Sequence, residues 1–549
     1  METERYFDGR ARRLVLDEIA DQTFDLVIIG GGINGAGVAH DASLRGRKVL
    51  LLEQRDLAFG TSSRSSKLIH GGLRYLESYQ FRLVFEGTNE RAALRKIAPH
   101  LVRPLLFALP VYEGGRFPLW MMDVGLWMYD GLSLFKAEKK HITLRSPKRI
   151  LEREPLLNPE GLTGGIIYYD CMTDDARMTL ENALAASQLG APVITRAQVT
   201  AIEGQNGELA TVHFRDRLSG RELKVFGKGV VNCTGAWTDH LRQMAQVESA
   251  VIRPTKGVHV VVEREKLHTH HANALVAPQD GRVFFAIPWS GRTVIGTTDT
   301  DWKGDPSELS VTRADVEYLL TAVNHNFPSA KLVPNDVFAT WAGLRPLIQV
   351  DQAASESEVP REHQIYTDGR MVTVAGGKLT TYRRMAAETA EAALAAAGLP
   401  IGASKSHKAL LPGARGISHD FDALAETIAK EAELPADIAA RLANVYAARA
   451  PQVLRYLKDD RKLAERVAAD RDVIWAEVLH AVDHELALSV DDILVRRTSL
   501  SLTAKDQATG AAERVADLIG PRLGWGPGER QAALDEYAHS IALSRAFRS

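Results

Sequence analysis

The sequence predicts an α/β protein with a helical C-terminal region. Three observations carry that reading. Residues 24–54, FDLVIIGGGINGAGVAHDASLRGRKVLLLEQ, run as strand, glycine turn, helix and strand. Residues 251–300 hold short branched and aromatic runs separated by turn signals, the pattern of an antiparallel sheet. From residue 419 onward Ala, Leu, Arg and Glu recur at helical spacing with few strand signals.

The first stretch is the most specific. Residues 26–29 are continuously apolar, as in a strand buried on both faces. Gly30, Gly32 and Gly35 follow in G-x-G-x-x-G spacing. Gly30 permits a tight turn, Gly32 lets a pyrophosphate reach the backbone, and Gly35 lets helix and strand pack closely. The free N–H groups of the helix start can hold the phosphate charge. Glu53, ending the second strand, can accept from a ribose 2′-OH and repels a ribose phosphate, which disfavours NADP. The spacing does not separate FAD from NAD.

With 549 residues the chain has room for several cores. A net charge of −2 gives no bulk attraction for nucleic acid. The two cysteines, Cys171 and Cys233, cannot build a disulfide framework or a cysteine metal cluster, and no metal site is expected. They fit a reducing compartment. Residues 1–23 carry charge throughout and lack the apolar core of a secretory signal. They read as a short amphipathic helix or a loose extension.

Residues 59–76, FGTSSRSSKLIHGGLRYL, are too polar for a core strand. Hydroxyls and glycines at Thr61, Ser62, Ser66, Gly71 and Gly72, with Lys67, can wrap a cofactor, and a helix over 81–97 follows. Together, IGGGINGAGVAHDASLRG and TSSRSSKLIHGGLRYLE resemble the FAD-dependent, respiratory glycerol-3-phosphate dehydrogenases. That resemblance implies a glutathione-reductase-like or D-amino-acid-oxidase-like fold with FAD in the glycine turn. It also implies sn-glycerol 3-phosphate as substrate and ubiquinone or menaquinone as acceptor. Monotopic attachment to the cytoplasmic face of the inner or plasma membrane follows from it as well. A homodimer is left open.

Residues 117–135, FPLWMMDVGLWMYDGLSLF, are apolar, but Asp123 and Asp130 argue against a spanning helix. Either this is a buried helix or it is a lipid-facing patch, with Lys136, Lys139, Lys140 and His141 beside it for anionic headgroups. Residues 165–169 read as a strand, and Asp174 or Asp175 opens a helix. Residues 223–241 hold a strand and a Thr–Gly turn, where Gly235 lets a ligand approach the backbone.

KGVHVVV, residues 256–262, places His259 in a strand of the second sheet. Such a histidine is commonly structural; the resemblance makes it a catalytic base. Residues 281–300 form a hairpin turning at Ser290 and Gly291. Its GTTD, residues 296–299, resembles the family pattern, which gives Asp299 a place by the substrate. In GLRPL, Arg345 stands between apolar residues and needs an anion or water. The resemblance makes Arg345 and Arg74 ligands of the substrate phosphate, with internal salt bridges as the alternative. Residues 371–394 contain GGKLTTYR, a strand, turn and helix start. Gly376, Gly377, Lys378, Leu379 and Thr380 can support a flavin edge, and Lys378 is the rival to His259 as base or as stabiliser of the alkoxide.

The resulting division gives 1–23 as an N-terminal extension and 24–98, 155–250 and 336–397 as a discontinuous FAD-binding domain. Residues 99–154 and 251–335 form the substrate domain, 398–418 a linker, and 419–549 the helical C-terminal domain. Arg496 and Arg497 in the last read as a solvated face or as a closure over the cofactor domain. The expected reaction is oxidation of sn-glycerol 3-phosphate to dihydroxyacetone phosphate, with hydride passing to FAD N5. The alternatives are a glycerol-3-phosphate oxidase using oxygen, an amine oxidase of the same wide class, and a non-catalytic flavin-binding protein.

Overall fold

The apolar run 26–29 needs a covered face on each side, and the fold provides both. The structure, a computed structural model, describes residues 4–77, 79–133, 139–349 and 362–548. Strand Thr23–Ile29 lies parallel between Val49–Leu52 and Glu222–Asn232. Val193–Ile194 and Met371–Gly376 extend this parallel core outward, and His363–Asp368 joins it antiparallel at one edge. Leu26, Ile28 and Leu51 pack against helices Ile33–Leu44, Asp175–Gln188 and Tyr382–Ala396. Val27, Ile29, Leu50 and Leu52 pack against the meander Ala197–Glu203/Ala210–Asp216 and helix Arg12–Ile19. The N-terminal segment is therefore packed, with Val15, Leu16 and Ile19 buried.

The second sheet is built around Ile252–Glu263, which pairs antiparallel with Arg292–Gly296 on one side and Ala339–Ile348 on the other. Val283–Trp289, Ala272–Val276, Arg103–Tyr112 and Leu162–Met172 continue it. The hairpin turns at Ser290 (φ 46) and Gly291 (φ 72), a left-handed pair suited to the strand twist. The sequence division needs correction here. Leu162–Met172 and Ala339–Ile348 were assigned with the FAD-binding parts 155–250 and 336–397, yet their ladders lie in the second sheet. Partner choice between strands is a long-range matter that local pattern does not encode.

Helix Leu119–Leu132 is not the buried helix that its composition allows. Trp120, Val124 and Trp127 are 66%, 53% and 49% exposed, whereas Leu126, Tyr129 and Asp130 face inward. His141 is not available to a lipid surface: it is buried, with Nδ1 2.8 Å from Asp130 and Nε2 3.0 Å from Asp123. Lys136 lies outside the described residues. Among those described, no helix is long and apolar enough to cross a membrane.

The 398–418 stretch is no free linker. Leu411, Pro412, Gly413 and Ala414 are buried, and the Gly413 N–H donates to Glu181 at 2.8 Å. The C-terminal helices form their own core around Leu442, Tyr446, Val478 and Ile519. Arg496 and Arg497 are buried and close onto the first sheet's side of the molecule, where both reach Asp56.

Candidate active site

The two sheets enclose one cleft of ≈ 2080 Å³. Its lining includes Gly30, Gly32, Glu53 and Gly235, and also Ser66, His70, Arg74, His259, Arg345 and residues 376–380.

The glycine turn is shaped by close approach. Gly30 has φ +109, and a Cβ there would stand 2.6 Å from the Cys233 carbonyl oxygen. At Gly35 a Cβ would fall 1.8 Å from the Gly30 oxygen, so its role is helix–strand packing and it does not line the cleft. Gly235 (φ +58) has nothing within 4 Å of a built Cβ, leaving its backbone open to a ligand. Glu53 is pinned: Oε2 accepts from Gly31 N–H at 2.6 Å and Oε1 from Arg55 N–H at 2.7 Å. Burial pushes its carboxyl above the ordinary range. Ser62 Oγ accepts from the Ile33 N–H at 2.9 Å, and Thr61 donates to the Leu344 carbonyl at 2.6 Å. An open glycine wall, a helix start and an anchored acid fit an adenine dinucleotide.

Two expected cofactor ligands turn away from the cleft. Lys67 is 2% exposed, and its Nζ donates to the Ser63 carbonyl at 2.6 Å and to Asp175 at 2.5 Å. A buried ammonium must find such partners, and here they tie down the loop. Gly71 is buried beneath Tyr129, its N–H donating to the Tyr129 hydroxyl at 3.0 Å and to Asp170 at 3.1 Å. Cys171 is buried in a strand among apolar residues. Cys233 does line the cleft, with its thiol pushed up by burial.

Three basic side chains, Arg345, Arg74 and Lys378, also line the cleft. Arg345 Nη1 donates to Asp299 at 2.9 Å and Nη2 to Thr297 Oγ1 at 3.0 Å, with the side chain 24% exposed to the cleft. Asp299 thus acts first as the counter-charge of Arg345. Gly257 makes room for this guanidinium, since a Cβ there would stand 2.5 Å from Nη2. Arg74 is exposed at the cleft wall, on a short turn Leu73–Leu76. Lys378 caps the helical turn Leu379–Thr381, its Nζ 3.6 Å from the Tyr75 ring centroid. Thr380 is buried, with its hydroxyl exchanging hydrogen bonds with the backbone of His70.

His259 is 3% exposed. Its Nε2 is 2.8 Å from Ser66 Oγ, and its Nδ1 is buried with no hydrogen-bond partner. The ring stacks on Trp341 at 4.8 Å and 12°. Burial, then the positive charges of Arg345 and Lys67, hold the imidazole well below the ordinary histidine range, which favours its neutral form. Trp341 and Tyr75 were missed by sequence reasoning. A signal existed for the first: a period of two places Trp341, Gly343 and Arg345 on one face of their strand.

The fold and its glycine-walled cleft define a dinucleotide-dependent oxidoreductase. Residues 25–391 match the FAD dependent oxidoreductase family, and 404–530 match the C-terminal domain of alpha-glycerophosphate oxidase. The chain is 35% identical over 544 residues to an aerobic glycerol-3-phosphate dehydrogenase of Staphylococcus aureus, covering 96% of each. A Bacillus halodurans glycerol-3-phosphate dehydrogenase structure, complexed with FAD, is 31% identical with TM-score 0.82 over 98% of both chains. The L-alpha-glycerophosphate oxidase of Mycoplasma pneumoniae shares the fold, at TM-score 0.54 and 20% identity, over 71% of this chain and 98% of that one. The chain belongs to the aerobic glycerol-3-phosphate dehydrogenase family of FAD-dependent oxidoreductases.

Proposed function

We propose that this enzyme oxidises sn-glycerol 3-phosphate to dihydroxyacetone phosphate, with FAD N5 as hydride acceptor and a membrane quinone, ubiquinone or menaquinone, as the final acceptor. The observation that carries the reading is a single cleft lined by Arg345, Arg74, Lys378 and His259, with the charge of Arg345 acting on the imidazole.

Arg345 and Arg74 bind the phosphate, and Arg345 is held ready by Asp299 and Thr297. Planar guanidinium groups suit a phosphate oxygen pair. That anchoring fixes C2, and binding remote from the reacting carbon is converted into rate. His259 accepts the hydroxyl proton, as neutral imidazole can. Burial is the main cause of the lowered His259 pKa, and a phosphate dianion at Arg345 offsets only the smaller contribution from that guanidinium. Lys378 places positive charge by the forming alkoxide, its ammonium kept against the Tyr75 face.

The quinone and membrane parts rest on a second feature. The cleft is also lined by Phe107, Tyr168 and Phe285, and by Met121, Val124 and Met128 of the exposed helix. An apolar mouth beside an exposed apolar helix suits a peripheral enzyme drawing a lipid-soluble acceptor from one leaflet.

Anaerobic mixing with glycerol 3-phosphate should bleach the visible flavin band; a band that stays oxidised overturns the assignment. A second reading, oxygen as acceptor, is favoured by the oxidase-named domain at 404–530. Peroxide formed in proportion to substrate, with poor reduction of a soluble quinone analogue, would select it.

A further inference from the structure

Strand Ala339–Ile348 carries Trp341 and Arg345, and it pairs with only one described strand, Ile252–Glu263. Its ladder is continued by Gln349, whose N–H donates to the Val251 carbonyl. Antiparallel pairs alternate between bonded and non-bonded partners. Odd-numbered residues here therefore turn their backbone groups to the partner strand, and even-numbered ones turn theirs to the free edge. Thr340 is 2% exposed, so its edge groups are shielded from water and need partners.

A single hydroxyl meets them. Ser544, near the end of helix Pro527–Arg545, accepts the Thr340 N–H at 3.0 Å and donates to the Thr340 carbonyl at 2.8 Å. The Thr340 hydroxyl donates in turn to the Ser544 carbonyl at 2.7 Å. Gln507 Nε2 holds Ser544 Oγ from behind at 3.0 Å. Further along the same edge, Thr61 donates to the Leu344 carbonyl at 2.6 Å. The strand is thus fixed at two points, one beside Trp341 and one beside Arg345.

We infer that Ser544 is a positioning residue for the reaction: it closes the strand edge at Thr340, 204 residues before it in the chain, and so sets Trp341 against His259. The inference rests on the assignment of His259 as base and glycerol 3-phosphate as substrate. The strand beside Arg345 keeps its own anchor, Thr61 on the Leu344 carbonyl, and the guanidinium keeps Asp299 and Thr297, so loss of Ser544 disturbs the proton-accepting side more than the phosphate side.

The test is rapid anaerobic mixing of holoenzyme with glycerol 3-phosphate, following the flavin band. Ser544→Ala should lower the limiting reduction rate roughly tenfold, as expected for a misplacement short of 1 Å. The concentration giving half the limiting rate should stay within about twofold of wild type. Ser544→Thr, which keeps the hydroxyl, should restore most of the rate. An unchanged rate in Ser544→Ala overturns the inference, as does a raised half-saturation at unchanged rate. If Ser544→Ala does not fold, Thr340→Val loses only the side-chain bond to the Ser544 carbonyl; a rate equal to wild type overturns the inference there. Failure of wild type itself to bleach would instead sink the substrate assignment.

Discussion

Arg497 grips Asp56 with both terminal nitrogens, Nη1 to Oδ2 at 2.8 Å and Nη2 to Oδ1 at 2.9 Å. The two residues lie in different halves of the molecule, and Arg496 adds a third bond to the same carboxylate at 2.6 Å. Burial alone would raise the Asp56 carboxyl, but Arg497 and Arg496 outweigh it and hold it well below the usual range. Asp56 follows Glu53 closely, so this clamp ties the helical region to the loop that begins the cofactor cleft.

Breaking the clamp from one side leaves a buried charge without its fork. Arg497→Ala should destabilise the protein by about 3–5 kcal/mol and speed FAD release. The folded Asp56 pKa lies below the unfolded value of about 3.9, so its contribution is full above about pH 5 and is lost progressively as pH falls further. The melting-temperature gap between wild type and Asp56→Asn should therefore be level from about pH 5 to 8 and narrow in stronger acid. A gap that widens on acidification would refute the charge account.

Arg345→Ala should cut kcat/KM for glycerol 3-phosphate by roughly ten- to a hundredfold, matching a charge-assisted contact of about 1.5–3 kcal/mol. Residual turnover of glycerol, which has no phosphate, should change far less. Equal losses for both would remove the phosphate role.

The depressed His259 pKa has a kinetic signature. Because the imidazole stays neutral as pH falls, kcat/KM should hold level down to about pH 6, with its acid limb well below the ordinary histidine value of about 6.5. His259→Gln should abolish that limb along with most of the rate. A wild-type limb centred at or above the ordinary value would count against His259 as base in this setting.

Trp120 and Trp127 stand on the exposed face of helix Leu119–Leu132. Changing both to Ser should lower co-flotation with anionic vesicles by roughly tenfold or more, since each buried aromatic contributes about 1.5–3 kcal/mol. Flavin reduction by glycerol 3-phosphate should be untouched. Vesicle binding equal to wild type would move the lipid contact elsewhere.

Much of the site was legible because its signals are local. The glycine spacing names its own geometry: a methyl group at Gly35 would collide with the oxygen of Gly30. Ser290–Gly291 announced its hairpin by turn chemistry, and the helix over 81–97 follows the polar loop as expected. Lys67 and Gly71 were misplaced because composition shows that a loop is polar, not which way each group points. Lys67 turned inward because Asp175 waits there, 108 residues on. The apolar 119–132 helix was ambiguous because hydrophobicity alone does not say whether its partner is protein or lipid.

What the sequence by itself determined was the order of elements, the dinucleotide turn and the residue types that can grip a phosphate and take a proton. Only the tertiary structure decided that Arg345 is steadied by Asp299, that His259 lies on Trp341, and that the C-terminal helices reach both Asp56 and Thr340. The reason is physical. Turn and helix preferences act over a few neighbouring residues, whereas a stack, a clamp or a closed strand edge depends on the register of segments that meet only when the whole chain has packed.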